Sequence, residues 1–181
     1  MLRKSLLLTL FIILTSCGAS KKKRTTSTTR SVHVEGAKDN PKKDRKASVV
    51  EEVSPLANSI IATALTFSGT RYKYGGTTRK GMDCSGLLYV SFLEHDVALP
   101  RISYQMANEG SKIKVSEVVP GDLLFFKTSK SGKRINHVGL VVEVDGDDIK
   151  FIHSTTSRGV IVSSLREGFW NYSFVKATRI L

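Results

Sequence analysis

The order of side-chain patterns limits what this chain can fold into more than any other feature: helical spacing comes first and strand-like alternation comes second. From Asp122 onward the residues read as strands, over Leu123–Phe126, His137–Val144, Ile149–His153, Val160–Val162 and Tyr172–Ile180. Two earlier segments read as helices. Ser54-Pro55 is a helix start, a hydroxyl N-cap followed by proline in the first turn. Leu56, Ile60, Ile61, Ala64 and Leu65 then recur at helical intervals, and Gly69 stands where a C-cap is expected. A glycine-bearing loop over residues 70–82 leads to a second helix over residues 83–95, apolar at Leu87, Leu88, Val90 and Phe92. Helices followed by a sheet predict an α+β domain over residues 53–181, with N-terminal helices on a C-terminal antiparallel sheet of about five strands. A βαβ array is excluded, and there is no internal repeat.

The residues before 53 belong to a different class. Arg3 and Lys4 precede an apolar run from Leu6 to Leu14, and Leu14-Thr15-Ser16-Cys17 closes it. That run is shorter than the about 20 residues needed to span a bilayer, so it reads as an export signal over residues 1–17. The Leu-Thr-Ser-Cys order resembles a bacterial lipobox, which implies cleavage before Cys17 and a lipid on it; an ordinary signal with an incidental cysteine is the alternative. Residues 18–52 hold ten Lys and Arg against five acids and almost no large apolar side chains. Such a segment cannot offset the entropy of ordering and reads as a disordered basic tether. Beside a lipid anchor it suits anionic headgroups, or serves as a solvated spacer.

This placement of charge bears on the net +12 of the chain. Residues 53–181 carry sixteen bases and eleven acids, an ordinary surface. The basic excess therefore lies outside the folded part, and a nucleic-acid partner is not expected.

The chain has two cysteines. With Cys17 committed to lipid, Cys84 is a lone thiol in an exported domain, either used or buried; a Cys17–Cys84 disulfide is the alternative. It falls at the start of the second helix, where unpaired backbone N–H groups and the helix dipole favour a thiolate. Ser85 and Gly86 leave the sulfur approachable, nearby N–H groups can serve as an oxyanion hole, and Asp83 is placed as an N-cap. His137 opens a strand in which it shares a face with Gly139, opposite Val138, Leu140 and Val142. Asp145-Gly146 marks a tight turn, so the following strand returns antiparallel. A turn centred near Asp145 sets His137 opposite His153 or one register step away, within reach to orient its ring. Zinc is the rival use of one cysteine and two histidines. Single ligands at 84, 137 and 153 lack the close pairs usual in zinc sites, so no metal is expected. His95, ending a helix, reads as a C-terminal cation or a surface residue, and His33 carries no role.

Six segments then stand in a familiar order: Tyr72-Lys73-Tyr74-Gly75-Gly76, Gly81-Met82-Asp83-Cys84-Ser85-Gly86, Leu99-Pro100-Arg101 with Ser103 and Gln105, Pro120-Gly121-Asp122-Leu123-Leu124-Phe125-Phe126, His137-Val138-Gly139, and Phe151-Ile152-His153-Ser154. Together they resemble the NlpC family of papain-like bacterial peptidases over residues 55–181. The resemblance implies a papain-like fold and a Cys84–His137–His153 triad of nucleophile, general base and orienting residue. It also implies that Tyr72 lines the site and that Ser85 contacts substrate. Arg101 and Gln105 would shape the cleft wall, without a defined role. Tyr74 departs from the tryptophan common among relatives. The implied substrate is the peptide stem of peptidoglycan, cut as a murein D,L-endopeptidase without a cofactor. Amidase or acyltransferase chemistry, or non-catalytic wall binding, are the alternatives. With Gly18 rather than aspartate after Cys17, the implied location is the outer membrane facing the periplasm, if the cell is Gram-negative. The sequence leaves open whether a regulatory protease or adaptor acts on it.

Overall fold

A computed structural model describes residues 53–129, 131–132 and 134–181. The export signal, the lipidated Cys17 and the tether expected over residues 1–52 lie outside the described residues.

Helix α1 spans Pro55–Leu65 and begins as its sequence demands, with Ser54 Oγ accepting from the Ala57 N–H at 3.1 Å and Pro55 in the first turn. It buries Ala57, Ile60, Ile61 and Ala64. The helix stops at Leu65, where its apolar spacing ends, and its C-cap is Thr66, three residues before the expected Gly69. Gly69, at a φ of 80°, instead turns the chain onto the sheet and donates its N–H to Val160 O at 2.9 Å. A two-stranded hairpin follows, β1 (Thr77–Thr78) with β2 (Gly81–Met82). Helix α2 runs over Cys84–Leu93 behind its N-cap Asp83, and a short α3 covers Ser103–Met106.

The main sheet has six antiparallel strands: β3 (Ser111–Ile113), β4 (Leu123–Phe126), β5 (His137–Asp145), β6 (Asp148–Thr155), β7 (Gly159–Ser164) and β8 (Phe174–Arg179). Their order is β3-β8-β4-β5-β6-β7. Two departures from expectation have physical causes. β3 is short, polar and paired only with β8 at the sheet edge, so it carries no alternating apolar signal. The last strand starts at Phe174 rather than Tyr172 because Gly168–Ser173 forms a helix, α4. The aromatic run Phe169-Trp170-Asn171-Tyr172 has strand propensity, but burying Trp170 under the sheet decides the local structure.

Both faces of the sheet are covered, which is why all four residues of β4 are buried. Leu123 and Phe125 face α1 and α2 with Val138, Leu140 and Ile152, packing on Ile60, Leu87, Leu88 and Phe92. Leu124 and Phe126 face the other way with Val141, Phe151 and Ala177, beneath Trp170. Each such large apolar side chain contributes about 1.5–3 kcal/mol on burial. The Pro120-Gly121-Asp122 motif belongs to this frame: Asp122 accepts from the Val119 N–H at 2.7 Å and takes both arms of Arg179 at 2.9 and 3.0 Å.

The register of β5 on β6 corrects the sequence reading. The turn is centred on Gly146 and Asp147, with Asp145 paired to Asp148, and a bulge between Val141 and Glu143 then resets the ladder so that Leu140 faces Ile152. One step further along this register, Gly139 stands opposite His153. His137 is therefore the diagonal neighbour of His153, two residues from direct opposition, and the two rings meet across a glycine that has no side chain to separate them.

Candidate active site

The cysteine sits in a polar brace. Asp83 accepts from the Gly86 N–H at 2.6 Å through Oδ1 and from the Gly75 N–H at 2.7 Å through Oδ2, so one carboxylate caps α2 and anchors the loop before it. Arg101 grips both oxygens at 2.9 Å and also donates to Ser85 Oγ at 2.9 Å and Gly76 O at 3.2 Å. A side chain at residue 86 would put its Cβ 2.1 Å from Gly76 O, so the loop lies against α2 only because Gly86 has none. Tyr72 is held alongside by a bridge to Met82.

Cys84 itself is buried. Burial is the largest influence on its thiol and, with the Asp83 charge, pushes it up to about 11. The backbone N–H groups of Val138, Ser85 and Cys84 pull the other way. The helix-terminal donors thus act in the expected direction, but desolvation outweighs them, and the resting group is a thiol rather than the expected thiolate.

The two histidines are held differently. His137 Nε2 and His153 Nδ1 are 2.9 Å apart, and both side chains are buried. Trp170 stacks on His137 at 5.1 Å between ring centroids and meets His153 edge-on at 4.5 Å, while Phe126 and Phe151 close the remaining sides. Burial lowers His137 to about 4; burial first, then the charges of His137 and Arg158, lowers His153 to about 2. Both rings are neutral near pH 7. Gly139, on the same strand face as His137, is covered by Phe151, whose ring atom would lie 2.5 Å from an added Cβ. A side-chain bond joins the two halves beside the Val138 N–H that reaches Cys84: Ser154 Oγ, next to His153, donates to Met82 O at 2.8 Å.

Cys84, His137 and Tyr72 line a common cavity of about 430 Å³, with Asn136, Ser154 and Trp170 also in its wall. The Tyr72 hydroxyl is raised by burial and by the nearby Cys84 and Asp83 charges. The structure thus gathers Cys84, His137, His153 and Tyr72 in one place, and puts Ser85 under Arg101. Gln105 is absent from the cavity walls that hold Cys84. His95 pairs with Thr63 Oγ1 at 2.8 Å, away from this site. Among the described residues no group of three His, Cys, Asp or Glu side chains converges as metal ligands. Sequence reasoning missed Trp170, the chain's single tryptophan, which precedes the strand expected over Tyr172–Ile180 and was given no role. Its signal was a lone large aromatic flanked by Phe169 and Tyr172.

The NlpC/P60 family pattern matches residues 69–179, which span every element just described from the Tyr72 loop to β8. The chain belongs to the NlpC/P60 family. Its membership makes it a cysteine peptidase, with Cys84 the free cysteine of the described residues. It is 44% identical over 116 residues to the probable endopeptidase NlpC of Escherichia coli K12, covering 64% of this chain and 72% of that one. It is 32% identical over 172 residues to the murein DD-endopeptidase MepS/murein LD-carboxypeptidase of the same organism, covering 94% and 87%. In structure it resembles an NlpC/P60 family protein from Bacillus cereus, with a TM-score of 0.64 at 28% identity over 71% of this chain and 41% of that one.

Proposed function

We propose that this NlpC/P60 protein is a murein endopeptidase, hydrolysing an amide bond in the stem or cross-link peptides of peptidoglycan with Cys84 as nucleophile, His137 as general base and acid, and His153 as the residue that orients it. The observation that carries this reading is the 2.9 Å contact between His137 Nε2 and His153 Nδ1 beside the cavity that Cys84 lines. For His137 to take the thiol proton through Nδ1, its Nε2 must carry hydrogen and donate to His153 Nδ1. The proton of His153 then sits on Nε2, a buried atom without a hydrogen-bond partner among the described residues, in a ring packed perpendicular to Trp170.

The burial of both groups supports a neutral thiol–imidazole pair at rest, so the proton moves as the bond forms. Sulfur attacks the peptide carbonyl carbon while its proton passes to His137 Nδ1. First-turn N–H groups of α2, which have no intrahelical acceptor, face the oxyanion. The tetrahedral intermediate collapses, the C–N bond breaks, and the leaving amine takes the proton from His137. Water, deprotonated by the same imidazole, then cleaves the thioester, releasing the new carboxyl group and restoring the thiol. Tyr72 contacts substrate from the cavity wall, and Ser85 takes part through its backbone N–H, since its hydroxyl is engaged by Arg101.

The same reading covers the rest of the chain. Residues 1–17 are a lipoprotein signal ending at a lipid-bearing Cys17, 18–52 a tether, and 53–181 the catalytic domain, which places the enzyme on the outer membrane facing the periplasm. The Leu14-to-Cys17 motif, the Gly18 that follows it and the composition of the tether support this.

Digestion of muropeptides by the full-length chain, with products read by mass spectrometry, tests the reaction. We expect cross-linked dimers or stem peptides to be shortened at amide bonds, and Cys84→Ala and His137→Ala to lose at least ~1,000-fold in kcat/KM. Undiminished digestion by Cys84→Ala would sink the mechanism.

A further inference from the structure

A second cavity, of about 440 Å³, shares Tyr72, Cys84 and Asn136 with the first and extends the cleft past Ser85 and Arg101. Three charged side chains line it: Asp83, Arg101 and Arg134. Asp83 and Arg101 satisfy one another through two bonds of 2.9 Å. The uncompensated charge on this side is therefore Arg134. By contrast the first cavity carries one base and one acid, Arg158 and Glu167.

Arg134 is exposed, and its guanidinium carbon lies 4.8 Å from the centroid of the half-buried Tyr104 ring. No carboxylate pairs with it among the described residues. A guanidinium stacked on an aromatic face uses its π-surface there and leaves its in-plane N–H groups free. Those groups match the two oxygens of a carboxylate as parallel donors. Stacking on Tyr104 also fixes a long side chain in advance, which lowers the entropic cost of using it. Arg134 directly precedes Ile135 and Asn136, which line the same cavity, and stands three residues before His137 at the start of β5.

We propose that Arg134, seated on Tyr104, is a carboxylate-binding subsite of the cleft, and that the enzyme prefers peptide substrates bearing a free carboxylate over their carboxamide forms. This rests on the peptidase reading of the cleft. The subsite recognises an acidic peptide on the Ser85 side of the nucleophile. Arg101 is already committed to Asp83, Ser85 and Gly76 and serves as a brace.

The test measures binding apart from chemistry. Full-length protein carrying Cys84→Ala is titrated calorimetrically with a synthetic stem tetrapeptide bearing free carboxylates and with the same peptide as its carboxamide. We expect about 10- to 100-fold tighter binding of the acidic peptide, the range of one charge-assisted bidentate contact. Adding Arg134→Gln should erase that preference without weakening the carboxamide. Arg134→Lys should restore part of it, because lysine keeps the charge but not the fork. No preference in the Cys84→Ala protein, including no binding of either peptide, overturns the subsite; so does a preference that survives Arg134→Gln. Circular dichroism on each variant confirms that the fold is kept. Muropeptide cleavage by the protein with Cys84 intact reports separately on the reaction. Cleavage without a binding preference sinks the subsite alone, and a preference without cleavage sinks the peptidase reading alone.

Discussion

The cysteine side and the histidine side of this site are built on opposite physical principles. Cys84 is positioned by polar contacts: one carboxylate, Asp83, receives two backbone N–H groups and both arms of Arg101. His137 and His153 are positioned by aromatic packing against Trp170, Phe126 and Phe151, with one hydrogen bond between them. In the proposed mechanism the nucleophile that meets a carbonyl needs directional anchoring beside open cleft. The proposed base, to stay neutral near pH 7, needs desolvation, which aromatic walls supply. The two are joined by the Ser154–Met82 bond, by the Val138 N–H that reaches Cys84 and by the packing of Leu87 and Leu88 of α2 on Val138, Leu140 and Ile152.

Removing the aromatic lid is the strongest way to break this division. Trp170→Ala deletes a buried indole and should cost about 3–5 kcal/mol of stability, the usual range for a large aromatic truncated in a core. It should also wet His137, so that the acid limb of kcat/KM moves from about 4 toward the ordinary 6.5. Denaturant unfolding and a pH–rate profile check both, and a loss of stability with an unmoved acid limb would mean that Trp170 serves the fold alone.

A smaller effect is expected on the polar side. Asp83→Asn keeps an acceptor for the Gly86 N–H but removes the charge that meets Arg101 and raises the Cys84 thiol. We expect roughly 1–3 kcal/mol lost, held to that range because Arg101 is about a third exposed and water takes over part of its partner's role. Alkylation of Cys84 by iodoacetamide should quicken at pH 8, since the charge opposing the thiolate is gone. Slower alkylation would place Asp83's importance in geometry instead of charge.

The gentlest probe is pH. Buried neutral imidazoles have folded values of about 4 and about 2, below their ordinary 6.5, so unfolded chains bind more protons at low pH. Their contribution to stability is complete above 6.5 and is lost as pH falls toward those values, by at most about 1.4 kcal/mol per pH unit for each ring. Cys84, raised from 9.0 to about 11, acts on the other side: its contribution is complete below 9 and lost as pH rises through 11. Thermal melts should therefore show a plateau between about 6.5 and 9, with Cys84→Ala flattening only the alkaline limb. A melt series whose alkaline limb is unchanged by Cys84→Ala would show that the thiol does not titrate with folding.

Much of this was legible in the chain, and for stated reasons. Ser54-Pro55 dictated the start of α1, Asp83 the cap of α2, a short continuous apolar run β4, and alternation β5 and β6, because local hydrogen bonds and side-chain pattern set them. Cys84 at a helix start and His137 on a strand face followed from the same rules. Gly69 as a helix cap and Tyr172 as the start of a strand did not hold, because contacts distant in sequence, to Val160 and beneath the sheet, overrode local preference. Tertiary structure alone decided the rest: a bulge at Val142 that makes His153 the diagonal partner of His137, the burial that keeps thiol and imidazole neutral, and the placing of Trp170 over both rings. Burial and diagonal contacts are sums over residues brought together by folding, and no local stretch of sequence carries them.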